Sequence, residues 1–250
     1  MTELRWPHLP HPRDVGGIVE AQVRRWALNK QNRPREALPE GWPVMTISRE
    51  SGTQGTALGR RVAERLGFSC WDSEIVTEIA RLLHTDETTI AAFDERTRGA
   101  IEDLIGASLF SQDIISADYA DNVRRIINSI ARRGRAVIVG RGAQFLVDPN
   151  HALRVRLVAP FEHRVRQVET LKGISFEEAK PIVESIDKER ATFVHQATGQ
   201  NVADPTQYDV VINTKIYAGE RADALVLMAY LSKFGELPPA EYTREIEALP

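Results

Sequence analysis

Val44 to Ile47 is a short unbroken apolar run, the pattern of a strand buried on both faces. Leu58, Val62 and Leu66 follow at four-residue spacing, one face of a helix, and Gly67 supplies its stop. Phe68 to Trp71 reads as a second strand and Ala136 to Val139 as a third. Leu153 to Val158 reads as a fourth, in which Leu153, Val155 and Leu157 alternate with Arg154 and Arg156, giving it one polar face. Tyr208 to Ile212 is the fifth. Helical patterns fill the intervals. Tyr119, Val123, Ile126, Ile127 and Ile130 form a stripe closed by Arg132, Arg133 and Gly134. Pro160 opens a helix that runs to about Leu171, and a final amphipathic helix spans Ala218 to Lys233. Ser175 with Glu178 three residues on is a capping box for another helix, and Pro181 inside that stretch is expected to kink or restart it. Strands alternating with helices predict an α/β fold, a parallel sheet flanked by helices.

The same pattern divides the chain. Residues 1–43 read as an N-terminal region: an arm rich in proline, histidine and charge, a helix from Ile18 to Gln31, and a polar, proline-punctuated linker. Val19, Val23 and Trp26 share one side of that helix, which either packs on the domain or joins a homodimer. The main domain is residues 44–235, with a long helical insertion at 73–133 and a helix-rich region at 160–200; residues 236–250 form a surface tail. A chain of 250 residues, 42% of them hydrophobic, can bury a sizeable core in one domain.

Composition removes several function classes. Lys and Arg total 32 against 35 Asp and Glu, a net charge of -3, which argues against a general nucleic-acid binder. The single cysteine, Cys70, excludes an intrachain disulfide and a cysteine-based zinc site. None of the six histidines has metal-ligand spacing. No apolar run approaches the roughly 18 residues of a membrane span. The N-terminal stretch lacks the apolar segment of a signal peptide, so the expected location is the cytoplasm, with no membrane partner.

The candidate chemistry lies between the first strand and its helix. A loop there sits at the carboxyl end of a parallel strand, where open α/β sheets bind ligands, and the helix start favours an anion. Gly52 and Gly55 would let the backbone curl round a phosphate. A tight turn and nothing more is the plainer reading. Two registers fit a phosphate loop of the form G-x-x-x-x-G-K-[ST]. In the first, Arg49 and Gln54 take the glycine positions, Gly55 the lysine position and Thr56 the Ser/Thr position. In the second, Glu50 and Gly55 take the glycine positions and Thr56 the lysine position. Neither supplies a lysine. The first is preferred because it places the Thr56 hydroxyl to touch Mg²⁺.

With these segments in view, the chain resembles the cytidylate kinase-like family of P-loop nucleoside-monophosphate kinases. The resemblance is carried, in order, by ISRESGTQG (Ile47 to Gly55), FSCWDSEIV (Phe68 to Val76), VIVGRGAQFLV (Val137 to Val147), LVAPFEHRVRQV (Leu157 to Val168), DKERATF (Asp187 to Phe193) and YDVVINT (Tyr208 to Thr214). It implies a P-loop kinase-like fold, ATP and Mg²⁺ as cofactors, small nucleotide substrates and phosphoryl transfer. Donor phosphates would lie on Ser51, Gly52, Thr53, Gln54, Gly55 and Thr56, and Arg141 would hold the acceptor phosphate. Arg164 and Arg190 would belong to a lid, residues 160–200, that closes over the phosphates. Asp187 would either pair with an arginine or touch the acceptor. Asp72 and Ser73 begin the acceptor region, although Asp72 also suits a helix cap.

Three departures bear on function. Relatives carry an arginine where this chain has Thr56, an aspartate where it has Gly142, and an arginine where it has Glu78. The leading expectation is transfer of phosphate from ATP to a nucleoside monophosphate, CMP or dCMP foremost. The alternatives are a non-catalytic nucleotide-binding module with a degenerate loop, or a kinase of another small acceptor.

Overall fold

The computed structural model describes residues 43–72 and 119–235. The N-terminal arm and helix, most of the insertion and the tail lie outside the described residues, as does Ser73. Five strands, β1 (Val44–Arg49), β2 (Ser69–Trp71), β3 (Ala136–Val139), β4 (Ala152–Val158) and β5 (Val210–Asn213), form one sheet in the order β2-β3-β1-β4-β5. All four pairings are parallel. The helices are α1 (Gly55–Leu66), α2 (Tyr119–Arg133), α3 (Ala143–Leu146), α4 (Phe161–Lys172), α5 (Phe176–Thr198) and α6 (Glu220–Phe234).

β1 extends two residues beyond the predicted run, because Ser48 and Arg49 stay in register with Arg156 and Leu157 of β4. The strand is thus polar at its end while remaining paired, which hydrophobicity alone does not show. One core layer joins Met45, Ile47, Val137, Val139, Val155 and Leu157 of the sheet to Leu58 and Val62 of α1 and to Val226 and Tyr230 of α6. These are the positions at four-residue spacing on α1. Gly67, at φ 64°, closes that helix with its N–H on Ala63 and Glu64 carbonyls, as its sequence position predicts. Val123, Ile126, Ile127 and Ile130 of α2 are all buried, as their stripe predicts.

α4 and α5 pack on each other through Val165, Val168, Ala179 and Val183. The Ser175–Glu178 capping box is present in full. Pro181 does not restart the helix: α5 runs unbroken from Phe176 to Thr198. Ala179 and Val183, on either side of the proline, both insert into the α4 contact, and this packing outweighs one missing backbone hydrogen bond.

A bidentate ion pair fixes α1 to α6. Arg61 Nε and Nη2 each donate at 2.8 Å to Asp223, whose side chain is fully buried. The hydrogen bonds to Asp223 push the Arg61 guanidinium above its usual range, against the opposing effect of burial.

α1 approaches the sheet closely because residue 59 has no side chain. A Cβ there would lie 2.8 Å from Val139 Cγ2 and 3.3 Å from Ile47 Cδ1. Gly59→Val should therefore force the helix off the sheet and lower stability by about 3 kcal/mol. Urea unfolding measures this, and an unchanged midpoint would show that the contact yields without strain.

Candidate active site

The sheet order places β1 at its centre, between strands reached by crossovers in opposite directions. The crevice beyond the carboxyl end of β1 is therefore the ligand position that the topology dictates. Glu50 to Gln54 form the loop there. Gly52 has φ 83°, and a Cβ on it would lie 2.5 Å from the Arg164 carbonyl oxygen, so the loop backbone presses directly on α4. Gln54 adopts the left-handed conformation at φ 57°, and α1 starts at Gly55. The backbone that favours glycine is thus at 54 rather than 55, which supports the first register. The N–H groups of the first turn of α1 have no intrahelical partner and face the crevice end of the sheet. Thr56 is half-buried on that turn.

A buried arginine locks the loop to both helices that follow β4. Arg164 is 8% exposed. Its Nε donates to the Ala159 carbonyl at 3.0 Å and lies 3.1 Å from Glu50 Oε2. Its Nη1 donates to the Ser51 carbonyl at 3.2 Å and pairs with Asp187 of α5. Asp187 in turn accepts the Ser51 backbone N–H at 2.7 Å, so a carboxylate occupies one anion-binding donor of the loop. Gln54 Nε2 adds a 2.9 Å bond to Gln167 of α4.

Next to this network lies a cavity of about 370 Å³ whose lining includes Arg49, Arg141, Arg156 and Arg190, with Glu50 and Asp187. Arg141 holds φ 54° between Gly140 at 86° and Gly142 at 69°, three left-handed residues in succession. For a non-glycine residue that conformation costs about 1 kcal/mol, and here it sets the guanidinium 4.9 Å over the Phe193 ring of α5. Arg156 is 7% exposed, donates to Ser48 Oγ at 2.8 Å and stacks 5.6 Å over Tyr208. Arg190 Nη1 donates to the Arg49 carbonyl at 3.3 Å. Burial first, then the charges of Arg141 and Arg156, push the Arg190 guanidinium below its usual range, while Asp187 opposes them. A smaller cavity of about 100 Å³ lies on the other side of the loop, between Gly52–Gln54, His163 and the Thr214–Gly219 turn. The loop therefore separates two clefts.

The model of the cytidylate kinase-like family matches residues 44–216, most of the chain. The chain belongs to the cytidylate kinase-like family. A cytidylate kinase of Thermococcus kodakarensis is 25% identical over 212 residues, 84% of this chain and 100% of that protein. A cytidylate kinase of Pyrococcus horikoshii is 28% identical, across 77% of this chain and 90% of its own length. A solved structure of an uncharacterized protein from Eubacterium ventriosum superposes with a TM-score of 0.56 at 19% identity, covering 76% of this chain and 99% of its own. That likeness concerns the fold.

The cytidylate kinase-like fold brings Arg141, Asp187 and Arg190 to one cavity, whereas Gly52, Thr53 and Gln54 line the smaller one. Arg164 lies beneath the loop, where its guanidinium is engaged by protein oxygens. Asp72 is buried and accepts from Arg60 at 2.9 Å. Arg156 also lines the cavity, as does Arg49, which the sequence named only as a loop position. Alternation in β4 marked Arg156 as belonging to a polar face, and that was its only signal. Among the described residues no cluster of three His, Cys, Asp or Glu could hold a metal, and no helix is long and apolar enough to cross a membrane.

Removing Asp187 would leave Arg164 with Glu50 as its remaining carboxylate and the Ser51 N–H without its acceptor. Breaking a fully buried pair costs about 3–5 kcal/mol. With Asp187 26% exposed and Glu50 retained, Asp187→Ala should cost about 2 kcal/mol. The exposed Glu184→Ala should stay within about 0.5 kcal/mol of the parent. Equal unfolding midpoints for the two variants would remove the network from the account of stability.

Proposed function

We propose that this protein transfers the γ-phosphoryl group of ATP to the phosphate of a nucleoside monophosphate, with CMP and dCMP as the leading acceptors. The observation that carries the reading is the pairing of a phosphate-type loop with an arginine-lined cavity at the same sheet edge. Phosphoryl transfer asks chiefly for positioning and for positive charge around the moving group. The cytidylate kinases among its relatives support the acceptor class.

On this reading the donor phosphates lie on the loop N–H groups and the nucleoside of ATP lies toward the smaller cleft. The acceptor phosphate lies between Arg141, Arg156 and Arg190. An acceptor phosphate oxygen bonds to the γ-phosphorus as the bond from that phosphorus to the β–γ bridging oxygen breaks. The electron pair stays on ADP, and the dianionic acceptor has no proton to lose. Because Asp187 holds the Ser51 N–H, donor phosphate takes that position only as the carboxylate moves aside. Mg²⁺ suits the donor set, since such sites use one or two protein oxygens and complete their shell with phosphate and water. Thr56 would supply the oxygen, and the ion would neutralise charge on the β- and γ-phosphates.

A second reading, a nucleotide-binding module without turnover, is favoured by glycine at the lysine position of the loop. A third, transfer to a different small acceptor, is favoured by Gly142 in place of the family's aspartate. ADP release measured with CMP, dCMP, UMP, AMP and GMP, alongside ATP affinity on the same sample, separates the three. Turnover fastest with CMP or dCMP is expected. ATP binding without ADP release from any of the five would overturn the leading reading.

Thr56→Ala tests the metal position. It should weaken Mg²⁺-ATP by about three- to tenfold, the worth of about one hydrogen bond, and leave metal-free ATP affinity nearly unchanged. Equal loss with and without Mg²⁺ would place the hydroxyl on the phosphates instead.

A further inference from the structure

Gly55 stands at the position where a phosphate loop of this register carries its lysine, and the structure shows what fills the space. A Cβ on Gly55 would lie 2.8 Å from both Cβ and Cγ of Arg49 and 3.3 Å from Leu157 Cδ1. The stem of Arg49 thus runs through the volume that a side chain at 55 would enter. Contacts below 3.0 Å with the first two carbons of a side chain cannot be relieved by moving its tip. Further along, the guanidinium passes over Gly140: a Cβ there would lie 1.9 Å from Arg49 Nη1 and 3.0 Å from Cζ. Two glycines, one on α1 and one after β3, leave a channel for a single arginine. Its end lines the cavity that also holds Arg141, Arg156 and Arg190.

We propose that Arg49 is the phosphate-binding cation of this kinase, entering from the end of β1 in place of a lysine from α1. Threaded between Gly55 and Gly140, it lies between the loop that takes the donor phosphates and the cavity that takes the acceptor. Its planar fork can hold two phosphate oxygens at once, which a lysine cannot. Charge passes to the bridging oxygen of ADP as the γ-phosphoryl group moves, and Arg49 neutralises it there. The lysine-free loop is therefore complete, because one position of the motif has exchanged roles with another. Glycine has moved from 49 to 55 and the cation from 55 to 49. The inference rests on the phosphoryl-transfer reading above.

A reciprocal exchange tests it. Arg49→Gln keeps the stem and removes the charge. Arg49→Gly empties the channel, Gly55→Lys alone collides with the Arg49 stem, and the double variant Arg49→Gly/Gly55→Lys rebuilds the lysine arrangement. Turnover with the best acceptor, Mg²⁺-ATP affinity by calorimetry and thermal midpoint are measured for all four and for the parent. Arg49→Gln should lose about tenfold to a hundredfold in kcat, the value of one charge-assisted hydrogen bond made in the transition state, with its midpoint held. The double variant should recover at least tenfold over Arg49→Gly. Parent-like kcat in Arg49→Gln, or no recovery in a folded double variant, overturns the inference while the activity stands. Should the double variant not fold, Arg49→Gln decides alone. If the parent binds ATP without turnover, the activity reading fails by itself. Arg49 is then judged on affinity, where Arg49→Gln should weaken Mg²⁺-ATP about tenfold and an unchanged affinity overturns the role. A parent that binds no ATP overturns both.

Discussion

Arg164 carries a charge almost wholly out of water, and that is costly unless every donor finds an oxygen. Here Glu50, the Ser51 and Ala159 carbonyls and Asp187 supply those oxygens from three separate segments: the loop after β1, the turn after β4, and the middle of α5. None of the three can shift far while the guanidinium stays buried. The curl of the loop, the start of α4 and the position of α5 are therefore one mechanical unit. Gly52, pressed against the Arg164 carbonyl, extends that unit to the loop backbone itself.

The arginine-lined cavity inherits its shape from this unit. Arg190 and Phe193 reach it from α5, Arg156 from β4, and Arg141 from the turn after β3. Burial first, and then the neighbouring charges of Arg141 and Arg156, push the Arg190 guanidinium below its usual range. Partial relief comes from Asp187 and Glu50, and an incoming phosphate would complete it. The loop backbone and the arrangement of α5 are thus coupled, since Asp187 answers both to Arg164 and to the Ser51 N–H. The smaller cleft is lined by fewer charged groups, Arg61 and Lys215 with His163.

A lysine-free loop does not contradict the proposed phosphoryl transfer, because that reaction depends on where positive charge stands and not on which residue supplies it. In this chain the glycine pair at 55 and 140 makes room for the Arg49 side chain. A Cβ added at Gly142 would lie 3.4 Å from the Thr198 methyl, an ordinary contact.

Sequence alone determined the layers of this protein. Apolar runs such as AVIV from Ala136 to Val139 and stripes such as Val123 to Ile130 are local periodicities, and burial enforces them wherever they occur. Caps were equally legible, since Ser175 with Glu178 and the glycine at 67 act within a few residues. Arg141 and Arg190 were visible as candidates because their motifs are short and contiguous. What the sequence could not show was which distant groups share a point in space. Pro181 looked like a break until the α4 contact on both sides of it was seen. The burial of Arg164 under the loop follows from the 23-residue separation to Asp187 being closed by a helix pair. Arg156 read only as part of a polar strand face, because alternation says which face a residue takes but not what covers that face. Arg49 read as a lost glycine, and only the close approach of Gly55 and Gly140 to its side chain made it a threaded cation. Periodicity is a property of neighbours in the chain, whereas clearance between backbones at the ends of three strands exists only after the sheet has formed.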